Sequence, residues 1–229
     1  MIELIGVRKR YRRKLVLDGV SFSAEKGNIT CLVGLNGAGK STLLKAIMGL
    51  TPIHSGRILI DGKSPDISTY EKVAFIADHL TMPPAMKLSE GLRFMADFYE
   101  SWSAERAEEL MRFFKLERGE RIGNLSKGTA AKFNLVLGLA QEADYVLMDE
   151  PFSGIDLLSR EMIADVFSSH LIEDRGVLLT THEIADMEQL IDRAVILLNG
   201  KVAAAFDCEQ KRSEEGKSIV DVMREVYLS

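Results

Sequence analysis

The sequence has little cysteine, no long apolar run and no excess of basic charge. Two cysteines, Cys31 and Cys208, are too few for a disulfide framework. Cys31 lies in an apolar run, so it is read as an inert core thiol of a reducing compartment. No stretch approaches the roughly 18–20 consecutive apolar residues that span a bilayer. The longest runs, LVLGLA at 135–140 and AVILL at 194–198, are core-sized. The opening segment MIELIGVRKRYRRK carries no apolar stretch behind a basic one and does not read as a secretory signal. Internal repeats, low-complexity tracts and a clear interdomain linker are also missing. The expectation is a cytosolic chain that works at a membrane only through a partner. Lys+Arg 29 against Asp+Glu 34 gives a net charge of −5. That disfavours a dedicated nucleic-acid binder, whose affinity would come from neutralising phosphates.

What remains is a globular composition, 46% hydrophobic and 28% charged over 229 residues. That is enough for one large domain with its own core. Strand-like segments fall at Ile2–Val7, Val16–Ser23, Asn28–Val33, Gly56–Ile60 and Lys72–Ala77, with Asp61-Gly62 as a turn. The basic segment Arg8–Lys14 between the first two is read as a solvated loop. From about Ser89 to Ala143 apolar residues recur at helical spacing: Leu92, Met95, Ala96 and Tyr99, then Leu110, Phe113 and Phe114, with a third helix over Ala130–Gln141. The Met and Phe positions of this block are read as helix core. Alternation then resumes: strand Tyr145–Met148, helix Leu158–His170, strand Gly176–Thr180, helix Ile184–Leu190. A hairpin follows, Ala194–Leu198 and Lys201–Phe206 around Asn199-Gly200, and a weak helix closes the chain at Ser218–Leu228. The fold class is therefore α/β, a core with an inserted helical block over about 86–143 and a C-terminal extension over about 208–229.

Two constellations carry chemistry. GLNGAGKST at 34–42 matches G-x-x-x-x-G-K-[ST], after a strand and before a helix. Glycines let backbone N–H groups turn inward as a nest for phosphate oxygens, and the helix that follows adds its positive end. Gly34, Asn36, Gly37 and Gly39 build the loop, Lys40 reaches the β- and γ-phosphates, and Ser41, followed by Thr42, offers a hydroxyl to Mg²⁺. The second constellation is YVLMDE at 145–150, an apolar strand ending in two carboxylates. Neighbours on a strand face opposite ways, so Asp149 can hold the Mg²⁺ shell while Glu150 polarises water as general base.

These pieces, in this order, resemble the ATP-binding-cassette ATPases over all but the last ~20 residues. LSKGT at 125–129 resembles the family's signature loop, SGID at 153–156 its D-loop, and His182 in LLTTHE its switch histidine. Tyr11 resembles the aromatic that stacks on adenine. The resemblance implies a P-loop NTPase core with an N-terminal antiparallel β-subdomain and a helical subdomain. It also implies ATP and Mg²⁺ as cofactors, and a homodimer or heterodimer in which two cassettes sandwich ATP head to tail. Ser126 and Gly128 would then contact the γ-phosphate of the opposite subunit, and Asp156 would join the interface. The helical subdomain and the loop around Asp78–Ala85 would receive a membrane-spanning permease, which places the chain on the cytoplasmic face of the membrane. The pattern is departed from in three places. Lys127 stands where glycine is usual, Thr129 where glutamine is usual, and Asp78 and His79 follow the strand VAFIA where a glutamine is expected. Asp78 could still ligate Mg²⁺ as a carboxylate. The resemblance leans to the exporter type. A soluble cassette acting on ribosomes or DNA, and a non-hydrolysing nucleotide-gated scaffold, stay open as alternatives.

Overall fold

The computed structural model describes residues 1–169, 172, 174–182, 184 and 187–228. Its first sheet is a three-stranded antiparallel unit, β1 (Ile2–Tyr11), β2 (Lys14–Ala24) and β4 (Ser55–Ile60), in the order β2-β1-β4. Between its strands run β3 (Ile29–Val33) and helix α1 (Lys40–Ile47). A short helix α2 (Ile67–Tyr70) precedes β5 (Val73–Ile76). The helical block follows as α3 (Leu88–Phe98), α4 (Ala104–Phe113) and α5 (Lys127–Leu139). Then come β6 (Tyr145–Asp149), α6 (Leu157–Phe167), β7 (Gly176–Thr181), β8 (Arg193–Leu198), β9 (Lys201–Asp207), α7 (Cys208–Glu215) and α8 (Ile219–Leu228).

The second sheet has six strands in the order β5-β6-β7-β3-β8-β9, parallel except for β9 against β8. Its five parallel strands are covered on both faces, which is why they read as near-continuous apolar runs, whereas the edge strand β9 alternates between exposed and half-buried residues. The two-residue side-chain period divides them between two cores. Cys31, Val33, Val146, Met148, Val177 and Leu179 pack on the side of α3–α6. Leu32, Leu147, Leu178, Val195 and Leu197 pack against α1 and the antiparallel sheet. The helix-side core runs without a break from Leu92 and Leu110 through Phe133 and Leu137 to Ile76. The helical block therefore shares its core with the sheet.

Several expectations change. Arg8–Lys14 is not a solvated loop. The strands run to Tyr11 and restart at Lys14, and Arg12, at φ 51°, turns the hairpin. Lys9 is buried, its Nζ donating to the Pro52 carbonyl at 2.6 Å. The third helix of the block starts at Lys127 rather than Ala130, because Ser126 caps it. Phe94, Phe98 and Phe113 are exposed rather than core, whereas Met95, Met111 and Phe114 are buried. Of the helix expected over Ile184–Leu190, the described residues form a 3₁₀ turn at Glu188–Leu190. Glu183, Ala185 and Asp186 lie outside them, as does His170 at the expected end of α6. The Asn199-Gly200 hairpin is as expected, with φ 51° and 76° at its two turn residues. Cys31 and Cys208 are both buried free thiols, and loss of hydration pushes Cys208 up to about 12.

Candidate nucleotide site

Three neighbouring strands end together at one edge of the large sheet, and the site is built on their ends. β3 delivers Gly34 to Gly39, β6 delivers Asp149 and Glu150, and β7 delivers Thr180, Thr181 and His182. Register fixes the alignment: Val33 pairs with Thr181 and Asp149 with Thr180. Ligands of α/β sheets bind in this position, beyond the carboxyl ends of the strands.

Gly39 caps α1 in the left-handed region, φ 109°, with no side-chain hydrogen bond to the helix. A Cβ there would stand 2.8 Å from Leu17 Cδ2, so the loop needs glycine for space as well as for φ. The first N–H groups of α1 are thus left without a side-chain cap, as an anion site requires. Asn36 and Gly37 form the exposed crest of the loop; Ser41 and Thr42 are half-buried. The Lys40 ammonium is 5% exposed. It donates to the Gly34 carbonyl at 2.7 Å and pairs with Glu150 Oε1 at 3.2 Å.

Asp149 is buried, and its two described side-chain hydrogen bonds fall on one oxygen. Ser41 Oγ donates to Oδ1 at 3.0 Å and Thr180 Oγ1 donates to it at 2.7 Å. Thr180 also orients the next residue: its carbonyl and its hydroxyl each accept from the Glu150 N–H, at 3.1 and 3.0 Å. Glu150 itself sits at φ 49°, a sparsely populated conformation for a side chain of this size. Held this way, its carboxylate lies between Lys40 and His182, with His182 Nδ1 2.8 Å from Oε2. Thr180 was not among the sequence candidates. Its only local signal is a polar pair closing an apolar strand just before His182.

Tyr11 is 45% exposed at the end of β1. Its hydroxyl lies 3.3 Å from Thr51 Oγ1, and Lys9 Nζ lies 4.7 Å from its ring centroid. That Thr51 hydrogen bond, with smaller contributions from Thr42 and two lysines, lowers its pKa below the usual phenol value.

The signature segment stands apart. Ser126 is exposed and caps α5, accepting from the Thr129 N–H at 3.1 Å and sharing a hydrogen bond with its hydroxyl at 2.7 Å. Gly128 is buried for a reason the sequence did not disclose: a Cβ there would stand 2.6 Å from Ser159 Oγ and 2.8 Å from Asp156 Oδ2. Asp156 is committed to its own helix, accepting from the Ser159 N–H at 3.0 Å and from its hydroxyl at 2.8 Å. Those bonds hold its carboxyl below the usual range. Asp78 is exposed and hydrogen-bonded to His79 Nδ1 at 2.7 Å. It lines a cavity of about 290 Å³ with Lys127 and Glu150, and no described hydrogen bond links it to Ser41 or Asp149.

Fold and site together define a P-loop nucleotide hydrolase with a helical insert between β5 and β6. Residues 17–153 match the pattern of the ABC transporter family. Nod factor export ATP-binding protein I of Burkholderia orbicola is 30% identical over 96% of this chain and 76% of its own length. The SkfA peptide export ATP-binding protein SkfE of Bacillus subtilis is 28% identical over 98% of both chains. Among solved structures, an ATP-binding subunit of an ABC transporter superposes with TM-score 0.88 at 30% identity, covering 99% of both chains. A bacterial ABC transporter cassette solved as a dimer shares the fold, with TM-score 0.80 at 23% identity over 90% of this chain and 98% of that one. The chain belongs to the ABC transporter family, as one of its ATP-binding and ATP-hydrolysing subunits.

Proposed function

We propose that this ATPase drives export through a separate membrane-spanning permease, docked from the cytoplasmic side. The observation that carries this reading is an apolar groove between the helical block and the large sheet. Its cavity measures about 610 Å³ and is lined by Leu50, Ile67, Phe75, Met82, Phe94 and Phe98 among others. Ile67 is 86% exposed and Phe98 67%. The Phe94 and Phe98 rings stack at 4.5 Å on its rim. Large apolar side chains left in water this way mark an interaction surface. The groove suits the apolar face of a short partner helix. No helix among the described residues is long and apolar enough to cross a membrane, so the reading assigns the translocation path to the partner. Relatives named for export of a Nod factor and of a peptide support the direction of transport.

For hydrolysis, the reading assigns Lys40 and the uncapped N–H groups of α1 to the β- and γ-phosphates, and the Tyr11 ring to adenine. Ser41 and Asp149 fit Mg²⁺: a hydroxyl and a carboxylate share a hydrogen bond that an oxygen-seeking cation can replace, and phosphate and water would complete its shell. The metal would neutralise charge developing on the phosphates. Glu150 accepts the proton of the attacking water, and His182 holds that carboxylate while meeting the γ-phosphate. Ser126 and the first turn of α5 complete the site of a second cassette, so two chains form a dimer with composite sites. A tagged chain in its own host should sediment with membranes, and Phe98→Asp should release it while the purified variant keeps ATP turnover. Parent protein that remains soluble, or sedimentation indifferent to Phe98→Asp, would overturn the docking reading.

A further inference from the structure

The last turn of α8 reaches the phosphate loop. Tyr227 Oη accepts from the Leu35 N–H at 3.2 Å and donates to the Leu197 carbonyl at 3.1 Å. Leu35 follows Gly34, whose carbonyl holds Lys40. The same Leu197 carbonyl would stand 2.8 Å from a Cβ at Gly34. One carbonyl on β8 thus meets both the loop entrance and the phenol that secures it. The other end of α8 is tied as well. The Ile219 N–H donates to Glu188 Oε1 at 2.6 Å, in the 3₁₀ turn downstream of His182. Ser218 and Asp221 cap the helix reciprocally, at 3.0 and 3.1 Å, and Ile219 and Val222 are buried. A helix of this length spans about 15 Å.

We infer that Tyr227 is a positioning residue for ATP binding, and that α8 is a strut between the segment after His182 and the phosphate loop. The loop depends on positive φ at Gly37 and Gly39 and has no side-chain cap at its helix. Glycine-rich backbone loses much conformational freedom when it is fixed. An anchor that fixes Leu35 before nucleotide arrives lowers that loss on binding, and so raises affinity. The two bonds involve only backbone groups of the loop and strand, so any side chain at Leu35 or Leu197 would serve. The hydroxyl of Tyr227 is what the arrangement requires.

The test is Tyr227→Phe in the full chain, which keeps the ring and its packing and removes both bonds. Mg-ATP and Mg-ADP dissociation constants are measured by calorimetry, KM and kcat by steady-state turnover, and the melting temperature without nucleotide. The expected result is a rise of about three- to tenfold in both dissociation constants and in KM, with kcat at saturation and the melting temperature near the parent's. Parent-like dissociation constants overturn the proposal, whether or not the melting temperature falls, because the phenol is then only a strap for the tail. Tighter binding overturns it too, since the hydroxyl would then be holding the loop away from nucleotide. ATP binding and turnover by the parent, measured alongside, keep a failure of this proposal distinct from a failure of the site assignment.

Discussion

Lys40, Asp149 and Thr180 are buried and hydrogen-bonded among residues brought from three strands, whereas Ser126 and Lys127, at the tip of the helical block, are exposed. The phosphate loop binds charge with groups that already satisfy one another: Lys40 with Glu150 and the Gly34 carbonyl, Ser41 with Asp149. Phosphate and metal can exchange into these pairings without leaving a buried charge alone, the condition that makes such exchange affordable. The signature loop offers an exposed capping hydroxyl and the start of α5, and no described hydrogen bond joins Ser126 to the phosphate loop or the acidic pair. On the reading proposed above, one surface is complete within the chain and the other is half of a site. That reading makes turnover depend on two copies of the cassette.

The largest expected effect falls on the complete side. Glu150→Gln should lower turnover by about 10²–10⁴-fold, the usual worth of a general base. Glutamine keeps the size and a hydrogen-bonding oxygen, so ATP should still bind, and chromatography with Mg-ATP should then show a persistent dimer. Near-parent turnover would move the proton transfer to another group.

Lys40→Ala should weaken ATP binding by roughly ten- to a hundredfold, the range for a charge-assisted contact in a partly desolvated nest. It also leaves His182 as the described side-chain partner of the Glu150 carboxylate. An ATP dissociation constant equal to the parent's, by calorimetry, would contradict the role of the ammonium.

A smaller effect is expected at Asp78, which lies between the two surfaces. We propose that it touches the Mg²⁺ shell once nucleotide is bound, although its carboxylate is here bonded to His79. Asp78→Asn keeps an oxygen ligand and removes a charge, so the Mg²⁺ concentration for half-maximal turnover should shift by a few-fold. Superimposable Mg²⁺ titrations would put Asp78 outside the shell and leave it as a wall of the cavity beside Glu150.

The same contrast explains what could be read in advance. The phosphate loop and the acidic pair were legible because their chemistry is contiguous: glycines, lysine and hydroxyl within GLNGAGKST, and two carboxylates ending one apolar strand. The five parallel strands of the large sheet were legible because burial on both faces writes itself as apolar runs. Thr180 was not, because its role depends on the register that sets β7 beside β6. Tyr227 was not, because its partners lie 192 and 30 residues away in the chain. Lys9 looked like one of a basic run, yet the strand's alternation turns it inward toward the Pro52 carbonyl. Helix α7 escaped because CEQKRSEE has no apolar stripe; it is held by the Asp207 cap and by ion pairs along its exposed face. The packing that also requires glycine at 128 could not be read, since its neighbours Asp156 and Ser159 come from another element.

The claim that the site is composite is tested most directly by mixing two inactive chains. Ser126→Arg blocks the signature surface and leaves the phosphate loop untouched; Lys40→Ala does the reverse. Because Ser126 also caps α5, its replacement costs about 1 kcal/mol of stability, and Ser126→Thr, which retains a hydroxyl cap, serves as the control for folding. Neither blocked chain alone should turn over ATP, while Ser126→Arg should bind it as a monomer as tightly as the parent. Mixed, the two should regain part of the parent rate, because each mixed dimer holds one intact phosphate loop facing one intact signature loop. Full turnover by Ser126→Arg alone would contradict the account, for it would mean that a single chain carries the whole site.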